Sequence, residues 1–345
     1  MVAKNPKAVR DALARNRREA KEVAEKLGVK KLRELLRRVE HDLVLRLHRA
    51  EGLHGPGKDS FTATQQRIVL AQVKDITKQL TNGMKDQLVS SARTIAEKST
   101  ESVIDYLQEA ETAFRGLGAQ ALPLNDAAIL QSTMSGVEST VLRRLASSGE
   151  QIAGANEVPH KAKKGILQRY GMEVIGHFED AMSEGMVGRK PWSEVRADIV
   201  SNSSFLQDAP AYWAERIVRT ETANAQNRSN LLAMRGANED LEDMCKILSC
   251  VFDFRTGSDS IAVHGEIRRL NEPFSTWFGL SQHPPDRPND RGLVVPHRVC
   301  WPIPPDLQPR SDAEILARWK LEKKKGAPPS RPAPMSTIPL YLFGK

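Results

Sequence analysis

Cysteines, aromatic side chains and long apolar runs are all scarce in this chain of 345 residues. Three cysteines are too few for a disulfide scaffold, and their odd number suits a reducing compartment. Aromatic residues make up only 5% of the chain, which favours helices packed through Leu, Ile, Val and Ala. No run approaches the roughly 20 apolar residues that span a bilayer, and the charged N-terminus lacks an apolar signal region. We therefore expect a soluble protein that has no membrane contact and is not secreted.

Positive charge is concentrated at the N-terminus. The formal net charge is +8, and residues 1–50 alone contain 15 Lys or Arg against 7 Asp or Glu, an excess of eight. Such a basic segment can neutralise nucleic-acid phosphates or dock on an acidic protein surface. Acidic residues interleave with the basic ones throughout, so a solvated helix of mixed charge is the alternative interpretation.

Apolar residues at helical spacing dominate the first half of the chain. They predict helix over residues 5–50, one long helix or two over residues 62–114, and further helices over residues 125–187. Asn82-Gly83 is the candidate break in the long helix. A helix of this length is usually paired with another helix.

Composition changes near residue 190, because all five tryptophans and all three cysteines follow it. This change is typical of a compact domain with a different core. Its predicted elements are a helix from Ala211 to Arg235, a buried strand from Lys246 to Phe254, a small element from Ser260 to Gly265, an extended loop from Pro284 to Pro305, a final amphipathic helix from Ser311 to Lys325 and a proline-rich tail from Gly326 to Pro334.

The predicted fold class is α+β and predominantly helical, with long N-terminal helices followed by a small mixed α+β C-terminal domain. We divide the chain into four segments. These are a basic helical region (1–124), a helical connecting region (125–205), the C-terminal domain (206–305), and a C-terminal helix with the proline-rich tail (306–345).

Short polar motifs occur along the C-terminal domain. Glu221, Asn224 and Arg228 share one face of the predicted helix, since they are three and four residues apart, and Asn227 lies on the same helix. The motifs are Arg219-Thr220-Glu221 with Asn224, then Asp253-x-Arg255-Thr256, then His264-Gly265, and finally Pro296-His297-Arg298-Val299-Cys300.

In order and spacing these motifs resemble the phage Mu F-like head morphogenesis family, the minor head proteins of tailed phages. The resemblance covers roughly residues 160–303. It implies a structural protein of the virion, made in the host cytoplasm and located in the head interior or at the portal vertex, with no catalytic residue. The implied partners are the portal protein, the major capsid protein and packaged double-stranded DNA.

Family members often carry a Cys-x-x-Cys pair before the His-Gly pair. Here the corresponding positions are Gly257 and Ser260, so two thiolate ligands for a tetrahedral zinc are missing. We therefore expect no cofactor. A residual zinc site would draw on His264, His297 and Cys300, with Cys245 or Cys250 as a further ligand.

The polar helix has two interpretations. It is either a surface helix with ion pairs or a buried polar network that locks the helix to the following strand. In the second case Arg219 or Arg255 pairs with Glu221 or Asp253, and losing Arg219 or Asp253 leaves a charged partner unpaired.

Further expectations concern three positions. Gly265 is expected in a tight turn or at positive φ. The resemblance implies that Phe274 and Phe278 pack on the strand.

Two further function classes stay open at this point. One is a metal-dependent nuclease-like protein, in which His283, Asn289 and His297 of the predicted loop activate water or bind a metal. It lacks paired cysteines and a clear ββα pattern. The other is a general DNA-binding protein that uses residues 1–50, although neither helix-turn-helix nor zinc-finger spacing is present. That segment also lacks the interleaved aromatics that stack on single strands.

Overall fold

Helix dominates the computed structural model, which describes residues 28–52, 63–114, 124–146, 166–188, 209–239, 241, 243–252, 256–276, 279–285 and 290–324 and single positions within 11–22 and 190–197. The fold is α+β, with long helices first and a small antiparallel sheet in the C-terminal part, as predicted. None of the described helices is long and apolar enough to cross a membrane. The five long helices are α1 (Lys30–Gly52), α2 (Ala63–Phe114), α3 (Asp126–Ala146), α4 (Ile166–Val187) and α5 (Ala209–Ala237).

Helix α2 is the spine of the molecule. It has 52 residues and is therefore about 78 Å long at 1.5 Å per residue, and α1, α3, α4 and α5 all pack along it. The candidate break at Asn82-Gly83 does not interrupt it. Instead, a Cβ at Gly83 would stand 3.0 Å from the Leu35 side chain. The glycine thus permits close approach of α1 to α2.

The apolar stripe of α1 faces α2 and α4. Its members are almost fully buried, as the helical spacing predicts. This first core contains Leu32, Leu36, Val39 and Leu43 of α1, Val73, Leu80 and Met84 of α2, and Tyr170, Phe178 and Met182 of α4.

The C-terminal strands form a three-stranded antiparallel sheet in the order β2-β1-β5, beside a two-stranded hairpin of β3 and β4. All six residues of the central strand β1 are buried, which explains its lack of apolar–polar alternation. The elements are β1 (Met244–Ser249), α6 (Ser258–Ala262), β2 (Ile267–Arg269), β3 (Phe274–Thr276), β4 (Gly279–Ser281), β5 (Leu293–Arg298), a 3-10 turn (Pro305–Leu307) and α7 (Asp312–Lys324).

A second apolar core joins this sheet to the C-terminal part of α2. It includes Leu107 and Phe114 of α2, Ile247 of β1, and Trp301 after β5. Helix α5 belongs to both cores, because its first half packs among the helices and its second half packs on the sheet. Helices α2 and α5 therefore carry the sheet at one end of the helical bundle.

Two sequence expectations about strands are corrected here. The strand predicted from Lys246 to Phe254 is Met244–Ser249. The segment predicted as an extended loop from Pro284 to Pro305 contains β5, which pairs with β1 along its whole length. Pro296 obscures this strand in the sequence, since proline lacks a ladder N–H. It is tolerated because β5 is an edge strand.

The last helix begins with a capping box. The Ser311 N–H donates to the Glu314 carboxylate at 3.0 Å, and the Glu314 N–H donates to Ser311 Oγ at 3.4 Å. Helix α7 therefore starts where the sequence predicts. Phe274 is fully buried as expected, whereas Phe278 and the proline-rich tail lie outside the described residues.

Candidate functional site in the polar helix and the histidine-glycine turn

Helix α5 buries many polar side chains. A surface helix held only by ion pairs would not have this pattern, so the interpretation as a buried polar network fits better. Because buried polar groups require hydrogen-bond partners, they fix the helix against its neighbours. The buried polar residues of α5 are Glu215, Glu221, Thr222, Asn224, Gln226, Asn227, Ser229 and Asn230.

Arg219 lies at the solvent edge of this network. Its side chain is 47% exposed, and its Nη2 donates to the Glu215 carboxylate one turn earlier at 3.2 Å. Among the described residues Arg219 therefore pairs with Glu215 and not with Glu221. Asp253 and Arg255 lie outside the described residues, so the pairings expected for them stay predictions.

The other motif residues of the helix are more enclosed. The Thr220 hydroxyl donates to the Arg216 carbonyl of its own helix at 2.7 Å. Glu221 is 4% exposed and Asn224 is 1% exposed. Within the described part of the chain, Asn224 Nδ2 has no hydrogen-bond partner.

Two asparagines fasten α5 to β5. Val294 N–H donates to Asn227 Oδ1 at 2.7 Å, and Asn227 Nδ2 donates to the Gly292 carbonyl at 3.0 Å. Asn230 Nδ2 donates to the Val294 carbonyl at 2.9 Å. These bonds cover backbone groups of an edge strand that would otherwise be open to pairing. Sequence reasoning points to Asn227 but misses Asn230, although the shared helical face is a visible signal.

His264 is held by the backbone at both ring nitrogens. The Cys250 N–H donates to His264 Nδ1 at 3.0 Å, so Nδ1 carries no proton. His264 Nε2 then carries the hydrogen and donates to the Asp306 carbonyl at 2.9 Å. The ring is thus a neutral bridge from the end of β1 to the turn before α7. Its edge-to-face contact with Phe252, with ring centroids 4.5 Å apart, adds to this packing.

Gly265 occupies a backbone conformation that requires glycine. Its φ is +80°, as expected. A Cβ there would stand 2.5 Å from Pro309 N and 2.6 Å from the Leu307 carbonyl. The Gly265 N–H also donates to the Leu248 carbonyl of β1 at 2.8 Å. The His-Gly pair therefore locks the segment after the 3-10 turn against the central strand.

Thr256, the last residue of the Asp-x-Arg-Thr motif, is part of the same corner. Its hydroxyl donates to the Val251 carbonyl, and Arg291 Nη2 donates to the Thr256 hydroxyl at 3.4 Å. Cys250 Sγ donates to the Ser260 carbonyl at 3.0 Å. Each of these contacts ties a side chain to the backbone or to a neighbour and stabilises the loop after β1.

Lys246 is fully buried in the middle of β1, and sequence reasoning misses it. Its Nζ donates to the Gln282 carbonyl and to Gln282 Oε1, both at 2.9 Å, and to the Leu270 carbonyl at 3.4 Å. Three acceptors match its three N–H donors. The Phe274 ring centroid lies 4.9 Å from Nζ, and burial lowers the lysine pKa to about 8. The feature of the sequence that could have identified Lys246 is its position inside the apolar run of residues 244–249.

The Arg298 guanidinium connects the sheet to the helical spine. Its Nη1 donates to Glu111 Oε1 of α2, and its Nε donates to Asp243 Oδ1 before β1, both at 2.5 Å. The side chains of Arg298 and Glu111 are 12% and 9% exposed. An arginine that bonds two carboxylates in a largely buried position holds β5 firmly against α2 and the start of β1.

The residues named for a zinc site are not all brought together. His297 pairs with Cys245 at the start of β1, whereas His264 bonds Cys250 just past its end. Five residues of strand separate these points by about 16 Å. The ring nitrogens of His264 are already bonded, and Cys300 is exposed. In the described part of the chain no group of three or more His, Cys, Asp or Glu residues is arranged to hold a metal. His264 therefore does not share a ligand set with His297.

The histidines of the nuclease-like alternative are also separated. His283 is buried, and its Nδ1 contacts the Pro284 carbonyl at 2.8 Å. It lines a cavity of about 20 Å³ near Leu248 and Gly292, which has room for about one water. His297 lies at the other end of β5, and burial lowers its pKa to about 4. Asn289 lies outside the described residues.

The chain matches no protein-family model, no curated protein and no solved structure. The Mu F-like resemblance therefore rests on the short motifs alone.

Proposed function

We propose that this chain is a structural minor head protein of a tailed bacteriophage, located at the portal or in the capsid interior and acting through contacts rather than catalysis. The motif order from Arg219 to Cys300 is the basis of the resemblance. The observation that carries the proposal is the use of both His264 ring nitrogens to hold backbone. A histidine in that state positions the chain and is not available as a base or a ligand.

The other polar motif residues support the same proposal. Asn227 holds β5, Thr256 holds the loop after β1, and Arg298 holds α2. Each is occupied by structural contacts. A long helical spine with a rigid sheet at one end suits a protein that bridges larger assemblies.

The portal protein and the major capsid protein are the proposed partners, and the virion is the proposed location. The nuclease-like alternative has weak support, because His283 and His297 lie at opposite ends of β5. The DNA-binding alternative has a specific observation in its favour, which is the charge distribution on the solvent face of α1.

The test is co-purification of the chain with the portal ring and with purified heads of its phage, read by quantitative mass spectrometry. Recovery in a fixed ratio to the portal subunit is the expected result. Gly265→Ala, which breaks the His-Gly turn, should reduce recovery, whereas Gly176→Ala, where a Cβ meets no atom within 4 Å, should not. Absence of the wild-type chain from both portal and heads would overturn the proposal.

A further inference from the structure

The solvent face of α1 has an excess of positive charge, although Glu34, His41 and Leu45 also lie on it. The buried stripe of this helix lies on the opposite side, so the face points away from the core. Among the described residues of α1, Glu34 is an exposed acidic residue, and the Asp42 side chain, 43% exposed, pairs with Arg46 at 2.9 Å. The exposed basic residues of this face are Lys30, Lys31, Arg37, Arg38 and Arg49.

These five cations have no ion-pair partner among the residues that the structure describes. Other arginines of α1 pair with acids of neighbouring helices, since Arg33 bonds Glu215 at 2.6 Å and Arg46 bonds Asp75 at 2.7 Å. The paired arginines Arg33 and Arg46 therefore lie at the edges of this face, and the five other cations point to solvent.

The exposed surface of α2 is different. Its basic and acidic side chains alternate, so their fields largely cancel within a Debye length of about 10 Å. Its exposed basic residues include Arg67, Lys74, Lys78, Lys85 and Lys98, and its exposed acidic residues include Asp75, Asp86, Glu97, Glu101 and Asp105. Of these two helices, α1 therefore carries the localised positive charge.

The dimensions of the basic face favour a long polyanion. Lys30 and Arg49 are 19 residues apart, which is about 28 Å along a helix. Duplex DNA presents one negative charge per roughly 1.7 Å of its axis, so several phosphates can meet this face together. Leu45, 40% exposed, is the large hydrophobic residue exposed on the described part of α1. A membrane-binding helix needs a broad apolar face, and single-strand binding needs stacking aromatics.

We propose that the solvent face of α1, formed by Lys30, Lys31, Arg37, Arg38 and Arg49, binds the phosphates of double-stranded DNA without sequence preference. This inference goes beyond the head role proposed above. It depends on the charge and exposure of α1 and not on membership of a virion.

The test is fluorescence anisotropy of a labelled duplex of about 30 base pairs with the purified full-length chain between roughly 50 and 200 mM salt, conditions in which phosphate contacts dominate affinity. The α1 variant replaces Lys30, Lys31, Arg37, Arg38 and Arg49 with glutamine. The α2 control replaces Arg67, Lys74, Lys78, Lys85 and Lys98 with glutamine, which removes the same formal charge. Circular dichroism melts establish that both variants are folded.

We expect the α1 variant to bind at least about 10-fold more weakly at ~100 mM salt. Its slope of log affinity against log salt should be shallower by about 3 to 4.5, at roughly 0.9 per lost phosphate contact. The α2 control should stay within about threefold of wild type. A charge-preserving variant, Lys30→Arg with Lys31→Arg, should bind DNA like the wild type even if the variant with all five glutamines is unstable.

Three results would overturn the proposal. The first is wild-type affinity in the α1 variant, and the second is an equal loss in both variants, which would reflect net charge alone. The third is binding of polyglutamate as tight as that of DNA at equal charge, which would indicate an acidic protein partner. Because purified components are used, absence of the protein from phage heads would leave this result unaffected.

Discussion

At the scale of single residues, Gly265 is the most constrained position in the C-terminal part. Its φ is +80°, and an added methyl group would stand 2.5–2.6 Å from backbone atoms, so a side chain has no room. We expect Gly265→Ala to lower the free energy of unfolding by about 3 kcal/mol or more, since backbone strain and a clash with backbone add together. Urea denaturation followed by circular dichroism measures the change.

Gly176 of α4 is the matched control. A Cβ there meets no atom within 4 Å, and alanine is favoured over glycine in a helix by up to about 1 kcal/mol. Gly176→Ala should therefore be neutral or slightly stabilising. Equal urea midpoints for the two variants would contradict the role assigned to Gly265.

His297 gives the fold a pH dependence with a definite sign. Burial holds its pKa near 4, whereas an unfolded histidine titrates near 6.5. Below pH 6.5 the unfolded state binds more protons, so this contribution to stability is present above pH 6.5 and is lost as the pH falls towards 4. At about 1.4 kcal/mol per pKa unit, the gap between 6.5 and about 4 corresponds to a loss of roughly 3 kcal/mol by pH 4.

The measurement is urea unfolding at a series of pH values between about 4 and 7, the range bounded by the folded and unfolded pKa values. His297→Gln removes the titrating ring, so its stability should fall less steeply over this range than that of the wild type. Parallel curves for the two proteins would show that other groups cause the acid sensitivity.

Single residues differ in how far the sequence predicts them. Gly265 is predicted correctly because a tight turn after a strand has a local cause, whereas the burial of Phe274 is expected from the resemblance. Arg219 pairs with Glu215 and not with Glu221, since a motif does not tell which side of a helix faces the core. Lys246 is missed because its three acceptors come from residues 24 to 36 positions later.

At the scale of elements, asparagine side chains of α5 bond the open edge of β5 and take the place of a neighbouring strand. Asn227 and Asn230 bond backbone groups at Gly292 and Val294. Asn227→Ala leaves a buried N–H and a buried carbonyl without these partners, and we expect a loss of about 2–3 kcal/mol. Thermal and urea melts of the purified variant test this.

Asn224 provides the comparison on the same helix. It is as buried as Asn227, but its Nδ2 has no partner among the described residues. Asn224→Ala should therefore be less destabilising than Asn227→Ala by at least about 1 kcal/mol, the net contribution of a typical hydrogen bond. If the two substitutions are equally destabilising, the bonds from Asn227 to β5 are not what makes that asparagine important.

The elements themselves are predictable where periodicity is strong. Helices α1 and α2 each carry an apolar stripe at helical spacing, and α7 begins with a capping box at Ser311. Strand β5 is not predicted, because Pro296 and the flanking prolines indicate a loop and its buried residues lack alternation. Its place in the sheet comes from pairing with β1 and from the asparagines of α5, which are distant in sequence.

At the scale of the whole molecule, helices α2 and α5 and the Arg298–Glu111 ion pair join the helical bundle to the sheet. Trp301 packs between Tyr106 and Phe114 of α2, with ring centroids 6.3 and 5.8 Å apart. Arg298 bonds Glu111 nearby. Because α2 and α5 contribute to both cores, the wild type should unfold in one transition, seen at the same urea midpoint by tryptophan fluorescence and by far-ultraviolet circular dichroism.

Arg298→Ala should weaken this coupling, because it leaves the nearly buried Glu111 carboxylate without its cation. Loss of one partner of a buried pair typically destabilises by about 3–5 kcal/mol, and partial exposure of Asp243 brings our expectation to about 2–4 kcal/mol. Arg219→Ala is the control. Its side chain is 47% exposed in an i,i+4 pair, so it should lose no more than about 0.5 kcal/mol.

The double variant Arg298→Met with Glu111→Leu separates charge from packing. It removes both buried charges and keeps apolar volume, so it should recover part of the stability that Arg298→Ala loses. In Arg298→Ala the fluorescence midpoint should also fall below the circular dichroism midpoint, because the tryptophans follow residue 190 while the long helices hold most of the helical signal. Coincident fluorescence and circular dichroism midpoints, with no recovery of stability in the double variant, would mean that Trp301 packing alone joins the sheet to the bundle.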